Sequence, residues 1–416
     1  MTNASVFAAI FSIRVTLLSI LPRTSCDELP WYGVRRRAGR HATEVTVSAN
    51  AFTPLRRSIE VEYWVVDDDG RLVEPGPLVG ASPGVEREFV EPMLEVKTTP
   101  CETTAELRAE LYDRLRAVLD RAEDCGRRLV PLSTPVDAEA VAELDSERTA
   151  IQNDVVGSDF QYVRHCAGTH IHVEQQDGRA IDQLNALIAL DPALALVNSS
   201  PYFQGRYLAA GARSKLYRWM AYDDLPHQGR LWPYVDDREE WDRRLERRFE
   251  EFVTRAEATG VDHRAIHAHF DPESAVWTPV QLREAFGTVE WRSPDTALPS
   301  QVLQLADDVA GAVETLAGRE VRIEGSTGEI TDDAVVLPEF DSVVGYLNAA
   351  IRDGLSAASV RSYLDRMGFD VDAYDPPTHD IGDQNVLDGA GARRLRLAYA
   401  DRLADDIRQS PSVRAE

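Results

Sequence analysis

Four stretches of this chain read as β-strands yet carry ionisable residues at matching parity, and that recurrence limits the possible folds more than any other feature. In SIEVEYWVVD, Ile59, Val61, Tyr63, Trp64, Val65 and Val66 favour a pleated, half-buried strand, while Glu60 and Glu62 interrupt it. Side chains at i and i+2 leave a strand on the same side, so both carboxylates share one face. Glu91 and Glu95 share parity in EFVEPMLEVKTTP, as do His170 and His172 in CAGTHIHVE and Glu290 and Arg292 in FGTVEWRSPD. Taken singly, each pair also has another reading. Glu60 and Glu62 suit a solvated strand face, the two histidines an amidohydrolase-type HxH metal motif, and Glu290 with Arg292 a cross-strand ion pair. Together on neighbouring strands they would crowd four or five carboxylates, one or two imidazoles and an arginine onto one surface. Like charges do not coexist there in a dry setting without cations. Oxygen-rich sites of this kind suit Mg²⁺ or Mn²⁺, which in turn hold nucleotide phosphates, so the face reads as a phosphoryl-transfer platform. Neutralising Glu60 or Glu290 is then expected to delete a cation ligand while relieving repulsion in the metal-free protein.

The remainder of the 416 residues is compatible with such a face. Hydrophobic residues make up 44% of the chain, enough for a sizeable core. A net charge of −25, from 70 acidic against 45 basic residues, opposes binding to nucleic acid or an anionic membrane, and neither is an expected partner. Lys97 and Lys215 are the only lysines. An acidic, arginine-dominated composition suits a salt-rich cytoplasm, where screening cancels much of the self-repulsion, although a GC-rich genome would deplete lysine too. Cys26, Cys101, Cys125 and Cys166 show no CxxC spacing, which fits a reducing, cytoplasmic setting. Cys101 and Cys166 lie in apolar strand contexts and read as buried structural thiols. Residues 5–22 form a short apolar run with no basic region before it and with Arg14 inside it, a poor match to a secretory signal.

Residues 1–57 therefore read as a flexible or spurious N-terminal extension, 58–405 as a single catalytic domain with a helical C-terminal portion, and 406–416 as a tail. Within that domain, TTAELRAELYDRLRAVLDRAEDCG has helical apolar spacing, Thr103 or Thr104 as N-cap and Gly126 as stop. RLVPLST reads as a strand and AIDQLNALIALDPALALVNSSP as a buried helix. REEWDRRLERRFEEFVTRA reads as a helix with a solvated, ion-paired face. LPSQVLQLADDVAGAVETLAG, SVVGYLNAAIRDGL and ARRLRLAYADRLADDI read as helices, giving an α+β domain. His267 and His269 in AIHAHFD are expected to be structural. No GxxxxGK[ST] or GxGxxG motif occurs, so a nucleotide would bind through metals and arginines.

In order, the motifs resemble the glutamate-cysteine ligase family, specifically its carboxylate-amine ligase branch and the glutamate-cysteine ligases of halophilic archaea. SIEVEYWVVD resembles the opening E-x-E strand, VEPMLEVKTTPC the second acidic strand, and GTHIHVE the G-x-H-x-H strand. NSSPYFQGRYLAAGARSKLYR is similar to the SSP segment with its downstream Ser and Arg, and VWTPVQLREAFGTVEWRSPD to the T-x-E-x-R-x-x-D strand. RLVPLSTP departs from the G-T-H-P-like segment of bacterial carboxylate-amine ligases. The resemblance implies a glutamine-synthetase-like, mostly antiparallel catalytic sheet with helices packed on one face, binding ATP and two or three Mg²⁺ (or Mn²⁺) ions. Glutamate would be activated as γ-glutamyl phosphate and joined to cysteine, giving γ-glutamylcysteine, ADP and phosphate. Position by position, it implies Glu60, Glu62, Glu91, Glu95, His170 and Glu290 as metal ligands, with Glu290 and Arg292 catalytic and Arg292 facing the transferring phosphoryl group. His172, Arg213 and Arg218 are further candidates for ATP or substrate binding. Another amine substrate, a metal-dependent amidohydrolase using His170 and His172, and a homo-oligomer all stay open at this stage.

Overall fold

The computed structural model describes residues 54–409 apart from 139 and 383. The apolar run at 5–22, nearly all of the expected extension and the last residues of the expected tail lie outside the described residues. Residues 54–57, assigned to the extension on sequence, are described. Leu55 is buried in the main core and Arg57 opens the first strand.

That strand, β1 (Arg57–Asp67), is central to a seven-stranded sheet completed by β2 (Val85–Arg87), β3 (Met93–Lys97), β4 (Arg127–Val130), β5 (Thr169–Glu174), β6 (Val280–Arg283) and β7 (Thr288–Trp291). The spatial order is β2-β3-β1-β5-β7-β6, with β4 paired to the far half of β1, and every pairing is antiparallel. An open antiparallel sheet is not the parallel barrel that an amidohydrolase would need. The VQLREAFGTVEW segment holds two strands, where sequence reading found only the second. Gly287, at φ 62°, closes this hairpin in the left-handed region that favours glycine.

Alternation assigns the faces. Ile59, Val61, Tyr63 and Val65 of β1 turn to one side with Leu94, Val96, Ile171, Val173, Val289 and Trp291, all in the main core. Against them pack α1 (Thr104–Cys125), α2 (Ala180–Leu190) and α4 (Pro299–Glu314), with α3 (Arg238–Ala258) and α5 (Phe340–Asp353) further out. Thr103 caps α1 in a reciprocal box with Glu106, an arrangement worth about 1 kcal/mol, and Gly126 ends the helix at φ 61°. The stretch Ala180–Val197 is long and apolar enough to cross a membrane, but most of it is buried inside the fold. On α3, Trp241, Leu245, Phe249 and Phe252 are buried, while Arg238–Asp242, Arg243–Glu239 and Arg244–Glu240 pair one turn apart outside. A second, three-stranded sheet spans Glu320–Leu337, and its strands are not evident from apolar periodicity.

The other face of β1 changes character along its length. Trp64 and Val66 join a second apolar cluster with Met93 and Val130, covered by Tyr399 and Ala400 of α6 (Gly389–Gln409). At the same parity, toward the start of the strand, stand Glu62 and Glu60. One half of this face is thus sealed by a helix and the other is acidic.

Candidate active site

Strand register brings the polar pairs together. Glu62 lies opposite Glu95, Glu60 opposite both Lys97 and His170, and His172 opposite Glu290, which in turn faces Gln281 of β6. Facing residues in an antiparallel pair project to the same side, so a diagonal of ionisable groups crosses β3, β1, β5 and β7. His170 Nδ1 stands 3.3 Å from Glu60 Oε2 and 3.4 Å from Glu290 Oε1. His172 Nε2 is 3.9 Å from Glu60 Oε1 and 3.7 Å from Glu290 Oε1, while its Nδ1 meets Thr288 Oγ1 at 3.1 Å, which fixes the ring. Glu290 Oε2 is held by Arg283 Nη1 at 3.0 Å and lies 3.6 Å from Arg292 Nη1.

Among the described residues, three groups present ligand atoms within 4.8 Å of one another: Glu60, His172 and Glu290; Glu60, Glu95 and His170; and Glu62, Glu88 and Glu95. Glu60 links the first two and Glu95 the last two, so the groups form a row. These donor sets of carboxylate oxygen and imidazole nitrogen fit divalent cations.

Charge is unevenly shared along the row. Burial works against the ionised form of Glu290, but Arg292, His172, Arg283 and His170 outweigh it and bring the carboxyl down to about 2. Glu60 is likewise held below the usual range, because the His170 hydrogen bond and the nearby Lys97 and His172 overcome its burial. At the other end burial wins. It pushes Glu62 up to about 7 with help from Glu95, and Glu88 up to about 7 with help from Glu62. Glu95 is raised further by burial and by Glu88 and Glu60. The His170 imidazole is lowered by burial and by Arg292. Buried carboxylates that repel one another to this degree match a role as cation ligands.

Residues 53–360 match Glutamate-cysteine ligase family 2 (GCS2). The chain belongs to that family. It is 28% identical over 357 residues to the glutamate–cysteine ligase of Haloferax volcanii, covering 76% of this chain and 91% of that protein. A putative glutamate–cysteine ligase 2 of Chloroflexus aurantiacus is 26% identical over 252 residues, 58% of each chain. Among solved structures, a glutamate–cysteine ligase of Francisella tularensis in complex with AMP aligns with a TM-score of 0.52 at 12% identity, covering 86% of this chain and 90% of that one. A bifunctional glutathione synthetase from Pasteurella multocida gives 0.50 at 16% identity, covering 85% of this chain and 53% of that one. These likenesses bear out the α+β, glutamine-synthetase-like fold with its mostly antiparallel sheet, and the family membership makes the protein a glutamate-cysteine ligase-type enzyme.

For this ligase the structure gathers Glu60, Glu62, Glu95, His170, His172 and Glu290 as the parity argument expects, with Arg292 beside them. Glu91 is not brought in. The strand starts only at Met93, residues 91 and 92 form a turn, and parity counted back from Glu95 fails across it. Among the described residues Glu88, beyond that turn, joins Glu62 and Glu95 instead. Arg213 lies at the edge, its guanidinium packed on Gly168 and donating to the carbonyls of Ser293 and Arg292 at 3.0 and 3.2 Å. Arg218 is drawn away from the row: it pairs with the fully buried Asp191 at 2.8 Å and donates to Ser293 Oγ at 2.7 Å, so its charge is spent inside the core. Sequence reasoning missed Glu88, Arg283 and Lys97. Lys97 alone carried a signal, sharing parity with Glu95 two residues away. His267 and His269 lie on a short helix, His263–His269, where strand parity has no meaning. His267 packs on Phe249 and His269 pairs with Glu147 at 3.2 Å, and neither belongs to the three groups. Cys101 and Cys166 are buried and free, their thiols pushed up to about 12, chiefly by burial, so neither is an activated nucleophile.

Proposed function

We propose that this enzyme joins the γ-carboxylate of glutamate to the amine of cysteine at the expense of ATP. A carboxylate oxygen attacks the terminal phosphorus and ADP leaves. The cysteine amine then attacks the γ-carbonyl of γ-glutamyl phosphate, phosphate departs and the nitrogen gives up a proton. The observation that carries this reading is the row of three ligand groups sharing Glu60 and Glu95, with a guanidinium at its end.

Two or three Mg²⁺ or Mn²⁺ ions would be held by Glu60, Glu62, Glu88, Glu95, His170, His172 and Glu290. When bound, such ions neutralise phosphate charge and orient the transferring group. The chain's own residues do the rest. Glu290 fixes Arg292 at one end of the row, and with its side chain 22% exposed the guanidinium keeps donors free for the phosphoryl oxygens. Arg213 holds the backbone of Arg292 and Ser293 and so steadies that guanidinium. The buried floor under Glu290 and His172 limits the access of water to an acyl phosphate. The composition and free thiols accord with a reducing, salt-rich cytoplasm.

The test is phosphate release in high salt with MgATP, glutamate and a panel of amines, together with product mass. ADP formation that requires both glutamate and cysteine, with γ-glutamylcysteine as product, is the expected result. A different amine preferred over cysteine by tenfold or more would reassign the second substrate.

A further inference from the structure

The turn between β6 and β7 carries an aromatic ring that the core does not use. Phe286 ends the short turn Glu284–Phe286, just before Gly287, and is 59% exposed, more than any other aromatic residue among those described. A single exposed ring is common on protein surfaces and implies nothing by itself. Tyr207 and Trp219 are also exposed, and what separates Phe286 from them is what it touches. Its ring meets that of His172 with centroids 6.0 Å apart and planes at 82°, and the guanidinium carbon of Arg283 lies over it, 5.4 Å from the centroid. His172 belongs to the Glu60–His172–Glu290 ligand group, and Arg283 holds Glu290 Oε2. The ring is thus fixed against the ligand row at its β7 end. With a guanidinium over one face and an imidazole beside it, the face left to solvent is the other one.

We propose that Phe286 is the platform on which the purine base of ATP stacks. The proposal deepens the ATP-dependent ligase reading above and rests on it. A nucleotide whose phosphates are engaged at the Glu60–His172–Glu290 group carries its base a short way beyond them, and the open face of Phe286 is the apolar plate beside that group. Bases stack on aromatic rings through their π-faces, and the guanidinium behind the ring holds the plate in place. Stacking rewards the area of overlap, so a purine gains more from this face than a pyrimidine does. Phe286 then contributes to nucleotide affinity and base preference, while the phosphoryl group is handled elsewhere in the row.

The test is isothermal titration of the full-length protein in high salt with MgATP, MgCTP and magnesium tripolyphosphate, which has the phosphates without a base. Phe286→Ala is expected to weaken MgATP binding about tenfold, to narrow the wild-type preference for MgATP over MgCTP and to leave tripolyphosphate binding unchanged. Phe286→Trp, which restores a π-face, is expected to bind MgATP within about threefold of wild type. The proposal is overturned if Phe286→Ala binds MgATP within about twofold of wild type, or if Phe286→Trp is as weak as Phe286→Ala. An equal loss of MgATP and tripolyphosphate also overturns it, since the side chain would then act on the ligand row through His172 and Arg283. Circular dichroism and thermal melting check the fold. If Phe286→Ala fails to fold, Phe286→Leu, which keeps apolar bulk without a π-face, carries the same expectation. A wild-type protein that binds no MgATP strikes down the ATP-dependent reading and the proposal with it, an outcome distinct from MgATP bound equally by wild type and variant, which removes the platform alone.

Discussion

The two ends of the ligand row solve the same electrostatic problem differently. At the β5–β7 end Glu290 lies against the guanidinium groups of Arg283 and Arg292 and beside the imidazoles of His170 and His172, and it stays ionised although buried. At the β2–β3 end, Glu62, Glu88 and Glu95 cluster together, with Lys97 against Glu95 and Arg213 acting on Glu62, and Glu62 and Glu88 hold protons up to neutrality. The first end is preorganised without ligand, since its charges are already paired. The second stores repulsion that only further positive charge can relieve, which ties its occupancy to pH. Position in the sheet explains the difference. β7 has the arginine-bearing β6 as its neighbour, whereas the outermost strand, β2, adds Glu86 beside Glu95.

The largest expected effect is on turnover. Glu290→Gln removes both a cation ligand and the partner of Arg292, and a loss in kcat of at least ~100-fold is expected. Activity within tenfold of wild type, measured as glutamate- and cysteine-dependent ADP formation, would break the assignment of the β5–β7 end.

The comparison is sharpened by stability without metal. Glu290→Gln leaves Arg283 and Arg292 facing no carboxylate there and is expected to cost on the order of 2 kcal/mol, less than a fully buried pair because both arginines keep some exposure. Glu88→Gln should be neutral or slightly stabilising at pH 8, because it relieves repulsion with Glu62. Urea titrations showing the same sign for both variants would show the ends to be alike. The expectation from sequence, that neutralising Glu290 relieves repulsion, thus applies to the other end, since the charged groups nearest Glu290 are the guanidinium groups of Arg283 and Arg292.

A smaller effect is the pH dependence of the metal-free protein. Glu62 is raised from an ordinary 4.5 to about 7, so the stability it contributes is complete below 4.5 and is lost as pH rises through 7. Glu290 has the opposite sign: its contribution is present above 4.5 and is lost as pH falls toward 2. Melting temperature should therefore decline between about pH 5 and 8, and Glu88→Gln should flatten the decline. The smallest signal is calorimetric. Ions binding the β2–β3 end should release protons near pH 6.5 and few above pH 8, so the apparent heat should change with the ionisation enthalpy of the buffer at the lower pH only.

Much of this was legible in the chain. Period-two alternation in SIEVEYWVVD and GTHIHVE fixed which residues share a face, and the spacing in TTAELR gave α1 with its cap. Glu91 shows where that logic stops, because parity holds only within one unbroken strand. Arg218 shows a second limit: its spacing matched a substrate arginine, but a buried aspartate 27 residues earlier claims it, and such pairing depends on tertiary packing. Glu88 and Arg283 reach the row through a turn and a hairpin whose register no periodicity specifies.

Gly168 gives its backbone N–H to Glu62 Oε2 at 2.6 Å while the Arg213 guanidinium lies against its α-carbon, where any β-carbon would have to sit. Even a methyl group there would displace a guanidinium anchored to two carbonyls. In a saturation library at this codon, survivors selected for activity should collapse to glycine, and alanine should already register as a defect in phosphoryl transfer with little change in the melting curve.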